Sequence, residues 1–390
     1  MLRSASPLKI LHVAETAQGG VGSYVEELVP LQAQRYGTAS VRVVLPKEHA
    51  AHFSRLPAEL LETFDIGGAG RVRCMLRMAW RTMALVRRWQ PDIVHLHSTY
   101  AGFILRPLLA LLARRTRVVY CAHGWAFDRT GPRWINLAIT FVERHWARWS
   151  DSVVCISQHD LRSALRGGID ARRLVVVMNG IRDVAPAPPD GSAVDRWPAH
   201  ALRVLFVGRL DRQKGVDVLY AALHELGGRA AAVIVGSAVV ADERSARPPP
   251  NVHFTGWLSR ERIAELYQAC DVLVVPSRWE GFGLVALEAM RAGRAVLASS
   301  VGGLPEVVQE GVSGNLFEPE DAAALARLLD ALTPAALGAM GDAGRERFDK
   351  LFRIERVGDE LDTLYRGLVA EGRLAHAGSL ASGSRVPDTP

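Results

Sequence analysis

The chain predicts an α/β fold of two doubly wound domains facing one cleft, and three observations support this. At 390 residues it is longer than one hydrophobic core ordinarily supports. Short continuous apolar runs alternate with amphipathic stretches through both halves, the pattern of parallel strands covered on both faces by helices. A Pro-rich interruption, APAPPDGSAVDRW at 185–197, separates the halves where regular structure cannot continue.

In the first half, strands are expected at 9–14, 40–45, 92–96, 117–121, 152–156 and 175–178, with helices at 24–34, 72–89, 104–113 and 134–149. The second half repeats the alternation, with strands at 204–207, 231–235, 272–275 and 295–298 and helices at 216–226, 260–269 and 285–292. A segment at 321–332 and a helical run at 351–369 follow. The expected organisation is a Rossmann-like domain over 1–184, a linker over 185–200, a second such domain over 201–350, a final helix over 351–372 and a disordered tail over 373–390. The stretch ADERSARPPP at 241–250 reads as a mobile loop, and no internal repeat goes beyond the βα alternation.

Composition excludes several classes. Apolar residues are 49% of the chain, yet no run of about 18 residues lacks charge, and the best candidate, 101–113, contains Arg106 and Pro107. The start, MLRSASPLKILHV, runs directly into a strand without the apolar core of a signal peptide, so a cytosolic protein is expected. Cys74, Cys121, Cys155 and Cys270 have no CxxC spacing and read as reduced core thiols. No metal-ligand spacing and no Asp-x-Asp pair is present.

Charge is divided unevenly. Residues 1–183 hold 25 Lys and Arg against 14 Asp and Glu, a net +11, and the remainder holds 22 against 27, a net −5. Much of the excess lies in RVRCMLRMAWRTMALVRR at 71–88, where Arg73, Arg77, Arg81 and Arg88 follow helical spacing and Met75, Leu76, Met78, Ala79, Trp80, Met83 and Leu85 supply the apolar remainder. Such a helix suits either an anionic membrane surface or plain solvent. Nucleic acid is a poor fit, since no aromatic stacking platform accompanies the cations.

The chemistry-bearing stretch is PSRWEGFGLVALEAMRAG at 276–293, a loop entering a helix just after the buried strand DVLVV. Gly281 and Gly283 permit close backbone approach, so the amides of Phe282, Gly283, Leu284 and Val285 can converge on an anion at the helix start. Carboxylates do not attract a phosphate, and the fitting task for Glu280 and Glu288 is to accept hydrogen bonds from hydroxyls on either side of it. A phosphate flanked by polyols describes a nucleotide sugar. The run LRVLFVGRLDRQKGVDV at 202–218 delivers Gly208, Arg209 and Lys214 to a strand's carboxyl end, where two cations suit a diphosphate leaving group.

Other features are weaker. Gly19, Gly20 and Gly22 follow the first strand, but a dinucleotide fingerprint fails because Val25 stands at its third glycine and Pro46-Lys47 follow the second strand in place of an acid. His123, after VVYCA, lies beyond a strand's carboxyl end and by spacing alone is more often structural. His95 and His97 share one strand face and serve packing equally well. Trp257, in VHFTGWL, suits a base pocket or the core, and Asn179-Gly180 suits the turn before the linker.

Taken together, the two glutamates with seven residues between them, the GRLDRQKG run, the Gly-Gly loop and Asn179-Gly180 resemble glycosyltransferase family 4, over roughly residues 8 to 370. The resemblance implies a GT-B fold and a retaining, metal-independent transfer of a hexose from a nucleoside-diphosphate sugar to a hydroxyl, with no cofactor besides that donor. It puts His123, Arg209, Lys214 and Glu280 at the reacting centre, with Glu280 on the donor sugar and Glu288 on the ribose. The donor is expected against Gly19, Gly20, Gly208, Arg209, Lys214, Glu280, Phe282, Gly283, Leu284, Val285 and Glu288, and the backbone of 252–258 near the base. The first domain would bind the acceptor, a glycan or polyprenyl-diphosphate-linked sugar of surface polysaccharide or lipopolysaccharide assembly, at the inner face of the plasma membrane. A sugar-nucleotide epimerase on a similar fold and a non-catalytic sugar-nucleotide-binding scaffold are the rival readings.

Overall fold

The computed structural model describes residues 8–382 apart from 18, 54, 69, 130, 185–195 and 238–247, with side chains described as far as 372 except at 52. The expected linker therefore lies mostly outside the described residues, as does most of the expected mobile loop at 241–250.

The first domain is built on seven strands, β1 (Ile10–Ala14), β2 (Val41–Pro46), β3 (Leu61–Phe64), β4 (Ile93–His97), β5 (Arg117–Cys121), β6 (Ser152–Cys155) and β7 (Leu174–Val176). They form one parallel sheet in the order β3-β2-β1-β4-β5-β6-β7. Helix α1 (Gly20–Tyr36) packs on one face, and α2 (Arg71–Trp89), α3 (Thr99–Leu112) and α4 (Arg133–Trp146) pack on the other, before α5 (Gln158–Arg166). Burial on both faces is why β1 is apolar at four of its five positions, and it encloses both histidines of β4 as well.

The second sheet has six parallel strands, β8 (Leu202–Val207), β9 (Ala230–Val235), β10 (Val252–Gly256), β11 (Val272–Val275), β12 (Ala295–Ser299) and β13 (Gly314–Phe317), in the order β10-β9-β8-β11-β12-β13. Its helices are α6 (Val216–Leu226), α7 (Arg260–Ala269), α8 (Leu284–Arg291), α9 (Leu304–Val307), α10 (Ala322–Asp330), α11 (Pro334–Leu351) and α12 (Ile354–Ser382). In both sheets the strand order reverses beside the first strand, between β1 and β4 and between β8 and β11, and the carboxyl ends at such points form binding crevices.

Two chain crossings join the domains side by side. The Ile181 amide donates to the Phe352 carbonyl at 2.9 Å and the Ile354 amide to the Ile181 carbonyl at 3.0 Å. A Cβ at Gly180 would meet the Phe352 and Arg353 carbonyl oxygens at 2.7 and 2.8 Å, so the Asn179-Gly180 turn is pressed against the second crossing. Helix α12 then returns to the first domain, where Asp359 pairs with Arg35 at 2.5 Å and the Tyr365 hydroxyl meets His95 Nδ1 at 2.6 Å.

Several expectations need correction. The tail does not begin at 373: α12 continues to Ser382, because RLAHAGSLAS is rich in Ala and Leu and the first proline comes at Pro387. Strands β3, β10 and β13 went unread: LETF and GNLF are too short and too mixed to show a strand period, and VHFTG, expected as part of a turn, pairs as an edge strand. Helix α11 was hidden by Gly338, Gly341 and Gly344; at Gly341 a Cβ would come within 2.2 Å of the Gly293 carbonyl oxygen, so that glycine marks close packing inside the helix. In α2, Leu76 and Trp80 do not join the packed side: both are exposed. All four cysteines are buried and free.

Candidate active site at the interdomain cleft

The carboxyl ends of β8 and β11 supply the second-domain wall. After β8 the chain makes a short turn at Arg212–Lys214, capped by the Asp211 carboxylate, which accepts from the Lys214 amide at 3.2 Å. Lys214 Nζ lies 2.5 Å from Glu280 Oε2, with the two side chains 18% and 11% exposed. Ser277 Oγ donates to the same carboxylate oxygen at 3.3 Å. Arg209 is 45% exposed and held by Asp211 and Gln213, each at 3.0 Å. On the far side, Arg278 fastens the loop by pairing with Asp217 at 2.7 Å and Glu320 at 2.6 Å, and these carboxylates raise its pKa further. Gly208 gives its amide to the Val235 carbonyl at 3.0 Å, so it contributes space near the cleft and no free donor.

The loop into α8 is clamped from behind. A Cβ at Gly302 would stand 1.7 Å from the Glu280 carbonyl oxygen, and one at Gly303 would stand 2.7 Å from that of Gly281. Gly283 caps α8 with φ 91°, which leaves Leu284 and Val285 in its first turn, where helix geometry supplies no acceptor for their amides. Phe282 anchors the loop from below: its ring is buried and meets Phe352 edge-on at 5.9 Å. Glu288, in the second turn, accepts from the Tyr267 hydroxyl at 2.9 Å, and burial raises its pKa above the usual carboxylate range.

The first domain meets this loop at His123. A Cβ on Gly281 would lie 3.0 Å from the His123 carbonyl oxygen, and one on Gly124 would lie 3.2 Å from Gly281 Cα. His123 itself has φ 56°, a left-handed backbone uncommon outside glycine and a form of strain that tends to be kept at functional turns. Behind it runs a chain of imidazoles: His123 Nε2 to His97 Nδ1 at 2.9 Å, His97 Nε2 to His12 Nδ1 at 2.9 Å, and His12 Nε2 to Gln32 Oε1 at 2.6 Å. An amide oxygen at the far end requires a proton on His12 Nε2, then on His97 Nε2, then on His123 Nε2, so His123 Nδ1 is left as an acceptor. Burial pushes His12 down to about 4 and His123 to about 3, and His95 and His97 well below their usual value, so all four rings are neutral at pH 7.

Gly19 and Gly20 are exposed at the start of α1, and Tyr24, one turn on, packs edge-on against His123 at 4.8 Å. The structure thus brings Lys214, Glu280 and the His123 turn together, with Arg209 on the same loop as Lys214 and Glu288 further along α8. Trp257 is 63% exposed, which removes its core alternative. Among the described residues, the one group of side chains close enough to hold a cation is His12, His95 and His97, whose ring nitrogens lie within 4.8 Å of one another; two of these nitrogens already hydrogen-bond each other.

Several cross-cleft contacts had no visible signal in the sequence. Glu26 and Glu27 of α1 pair with Arg260 of α7, the latter at 3.4 Å. Glu306 accepts from the amides of Gln158 and His159 at 2.7 and 2.6 Å and so caps α5 from the other domain. Helix α5 itself was detectable: Ser157 and Asp160 have N-cap spacing, and the Asp160 amide donates to Ser157 Oγ at 3.0 Å.

Two parallel α/β domains hinged by paired crossings, with a cationic loop facing a histidine turn across the groove, define the GT-B class of glycosyltransferase. Residues 18–183 match Glycosyltransferase Family 4 and residues 193–335 match Glycosyl transferases group 1, and the chain belongs to this family. It is 35% identical over 386 residues to a D-inositol 3-phosphate glycosyltransferase of Streptomyces scabiei, covering 85% of this chain and 83% of that protein. It is 28% identical over 360 residues to an uncharacterized 41.2 kDa protein in the cps region of Klebsiella pneumoniae, covering 89% and 96%. The fold matches the crystal structure of Anabaena HepE in complex with UDP-glucose, with TM-score 0.78 at 19% identity, over 92% of this chain and 100% of that one.

Proposed function

We propose that the chain transfers a hexose from a nucleoside-diphosphate sugar to a hydroxyl of a glycan or polyprenyl-diphosphate-linked acceptor, with retention of configuration and without a metal ion. The approach of Gly281 to the His123 carbonyl, beside the Lys214–Glu280 pair, supports this reading, because a cation–carboxylate wall and an imidazole turn then face one groove, as transfer of a sugar from a diphosphate requires. Arg209 and Lys214 hold the diphosphate together with the first-turn amides of α8, and their attraction strengthens as charge grows on the departing oxygen. That oxygen takes the acceptor proton on the face it leaves, so no carboxylate has to act as nucleophile. Glu280 accepts from sugar hydroxyls and Glu288, oriented by Tyr267, accepts from the ribose. His123 Nδ1 offers the sugar a neutral acceptor.

The relative in a cps region supports surface polysaccharide assembly, and the neighbour crystallised with UDP-glucose supports a nucleotide-sugar donor. A thermal-shift series with UDP, GDP and ADP, then their sugars, identifies the donor, since a ligand at 100 times its Kd stabilises by about 2.7 kcal/mol. Arg209→Ala tests the chemistry. The side chain is 45% exposed, so the fold survives its loss, while turnover is expected to fall by about 100-fold. Turnover within about twofold of the parent, with donor binding intact, refutes the role.

A further inference from the structure

Helix α4 is built inside out. Its buried residue is an acid, Glu143, which pairs with Arg106 at 2.6 Å, both side chains being at most 2% exposed, and accepts from the Tyr120 hydroxyl at 2.9 Å. Its outward stripe is apolar: Trp134, Leu137 and Phe141, at positions i, i+3 and i+7, are 71%, 70% and 61% exposed. Helix α2 buries an apolar face but also turns a second apolar stripe outward, Val72, Leu76 and Trp80 at i, i+4 and i+8, all more than half exposed. Large apolar groups aligned outward on two helices of one domain face mark an interaction surface.

The two stripes belong to one face. Arg71 of α2 stacks over the Tyr100 ring of α3 at 5.0 Å, and Trp146 of α4 stacks on Phe103 of α3 at 5.4 Å. Charge selects the occupant. Together α2, α3 and α4 carry nine arginines and one acid, Glu143, which Arg106 already neutralises. Arg73, Arg77, Arg133 and Arg144 are exposed around the apolar groups. Two copies meeting through this face would oppose like charges, whereas anionic headgroups complement it. Among the described residues no single helix is long and apolar enough to cross a membrane, so the helices would lie along its surface.

We infer that the outer face of α2, α3 and α4 docks on an anionic lipid bilayer, with the Trp134–Phe141 and Val72–Trp80 stripes at the headgroup–acyl boundary and the arginines among the headgroups. The first turns of all three helices follow the carboxyl ends of β3, β4 and β5, the end that carries His97 and His123, so docking brings the cleft mouth beside the lipid surface. The inference deepens the reading of a membrane-borne acceptor and gives it a surface.

Flotation of the full chain with vesicles of phosphatidylcholine, with and without phosphatidylglycerol and with no substrate present, tests it. The protein is expected to float with the anionic vesicles and to be released by salt. Leu137→Glu with Phe141→Glu should lower binding at least about tenfold, and Arg73→Gln and Arg77→Gln about fivefold each. Val312→Glu, at an exposed apolar position of the other domain, should float like the parent. Should the double variant fold poorly by circular dichroism, Trp80→Phe and Trp134→Phe provide the second readout: each should diminish the blue shift of tryptophan emission on anionic vesicles. A parent chain that stays unbound, floats equally on neutral vesicles, or self-associates through residues 137 and 141 overturns the inference. A chain that floats as expected yet transfers only to soluble acceptors refutes the acceptor reading and leaves the docking surface standing.

Discussion

Gly281→Ala adds one methyl group at the point where the domains touch. The new Cβ would stand 3.0 Å from the His123 carbonyl oxygen and 3.3 Å from Ile156 Cδ1, closer than ordinary contacts of 3.4–4 Å. Backbone strain is not involved, because Gly281 is not among the glycines with positive φ. The loop cannot retreat into its own domain: Gly302 and Gly303 already lie so close behind Glu280 and Gly281 that even a methyl group on either would clash with their carbonyls. Ile156 can turn aside, but a backbone carbonyl cannot, so the relief has to come from a separation of the domains by several tenths of an ångström. Overpacking of this kind costs about 1–3 kcal/mol when buried, and the edge of a cleft should show the lower end. The kinetic effect is larger than the thermal one, because displacement of reacting groups by about 1 Å can cost about 100-fold in rate. Steady-state kinetics with the identified donor should show kcat down by roughly 10- to 100-fold and donor KM changed much less, since in the proposed reading most donor-binding groups belong to the second domain. Gly338→Ala is the control; nothing lies within 4 Å of its Cβ and it sits in α11, so stability should rise by up to about 1 kcal/mol with kcat unchanged. A kcat for Gly281→Ala within about twofold of the parent refutes the claim that this contact sets the working closure.

Three further outcomes follow from the same geometry. Glu306→Gln keeps one acceptor but loses the charge that caps α5, and should lower the urea-derived stability by about 1 kcal/mol; equal midpoints would show that the interdomain cap contributes nothing. His97→Gln breaks the imidazole chain, so nitrogen-15 spectra should show His123 losing its single Nε2–H tautomer, and an unchanged spectrum would disprove the relay. Burial pushes Asp160 up to about 7 from 3.8, so its stabilising share is complete below 3.8 and is lost as pH rises to 7, about 4 kcal/mol in all; Asp160→Asn should therefore gain on the parent across that window. His12 and His123 act in the opposite sense, their contribution being present above 6.5 and lost as pH falls towards about 4 and about 3, and parallel pH profiles for parent and Asp160→Asn would refute the assignment to Asp160.

The fold could be read in advance wherever burial leaves a local signature. Strand β5, helix α6, helix α7 and strand β11 fall on the expected residues, because apolar runs and 3.6-residue periods are set by which face each element buries. The candidate acidic and basic residues could be picked out for a related reason: strand ends deliver them, and glycines mark the turns. What stayed hidden depends on pairings between distant segments. His95 and His97 were visibly on one face of their strand, but the chain through His12 requires β1 to lie beside β4 with His12 opposite His95 and Ala14 opposite His97, a register that neither strand encodes alone.

The same limit explains α2 and α4. A period of 3.6 reports that apolar and polar sides exist but does not say which side faces the protein, and the usual assumption of apolar inward failed at Leu76 and Trp80. In α4 it fails more completely, because the Arg106–Glu143 pair and the Tyr120 hydroxyl occupy the inner side, where an unpartnered acid would be strongly destabilising and a partnered one is tolerated. A helix with its polar residue satisfied inside and its aromatic residues outside is at odds with water alone as its surroundings. The contradiction disappears if the outer side of the domain works against lipid, which is why the orientation of one buried carboxylate bears on where the enzyme acts.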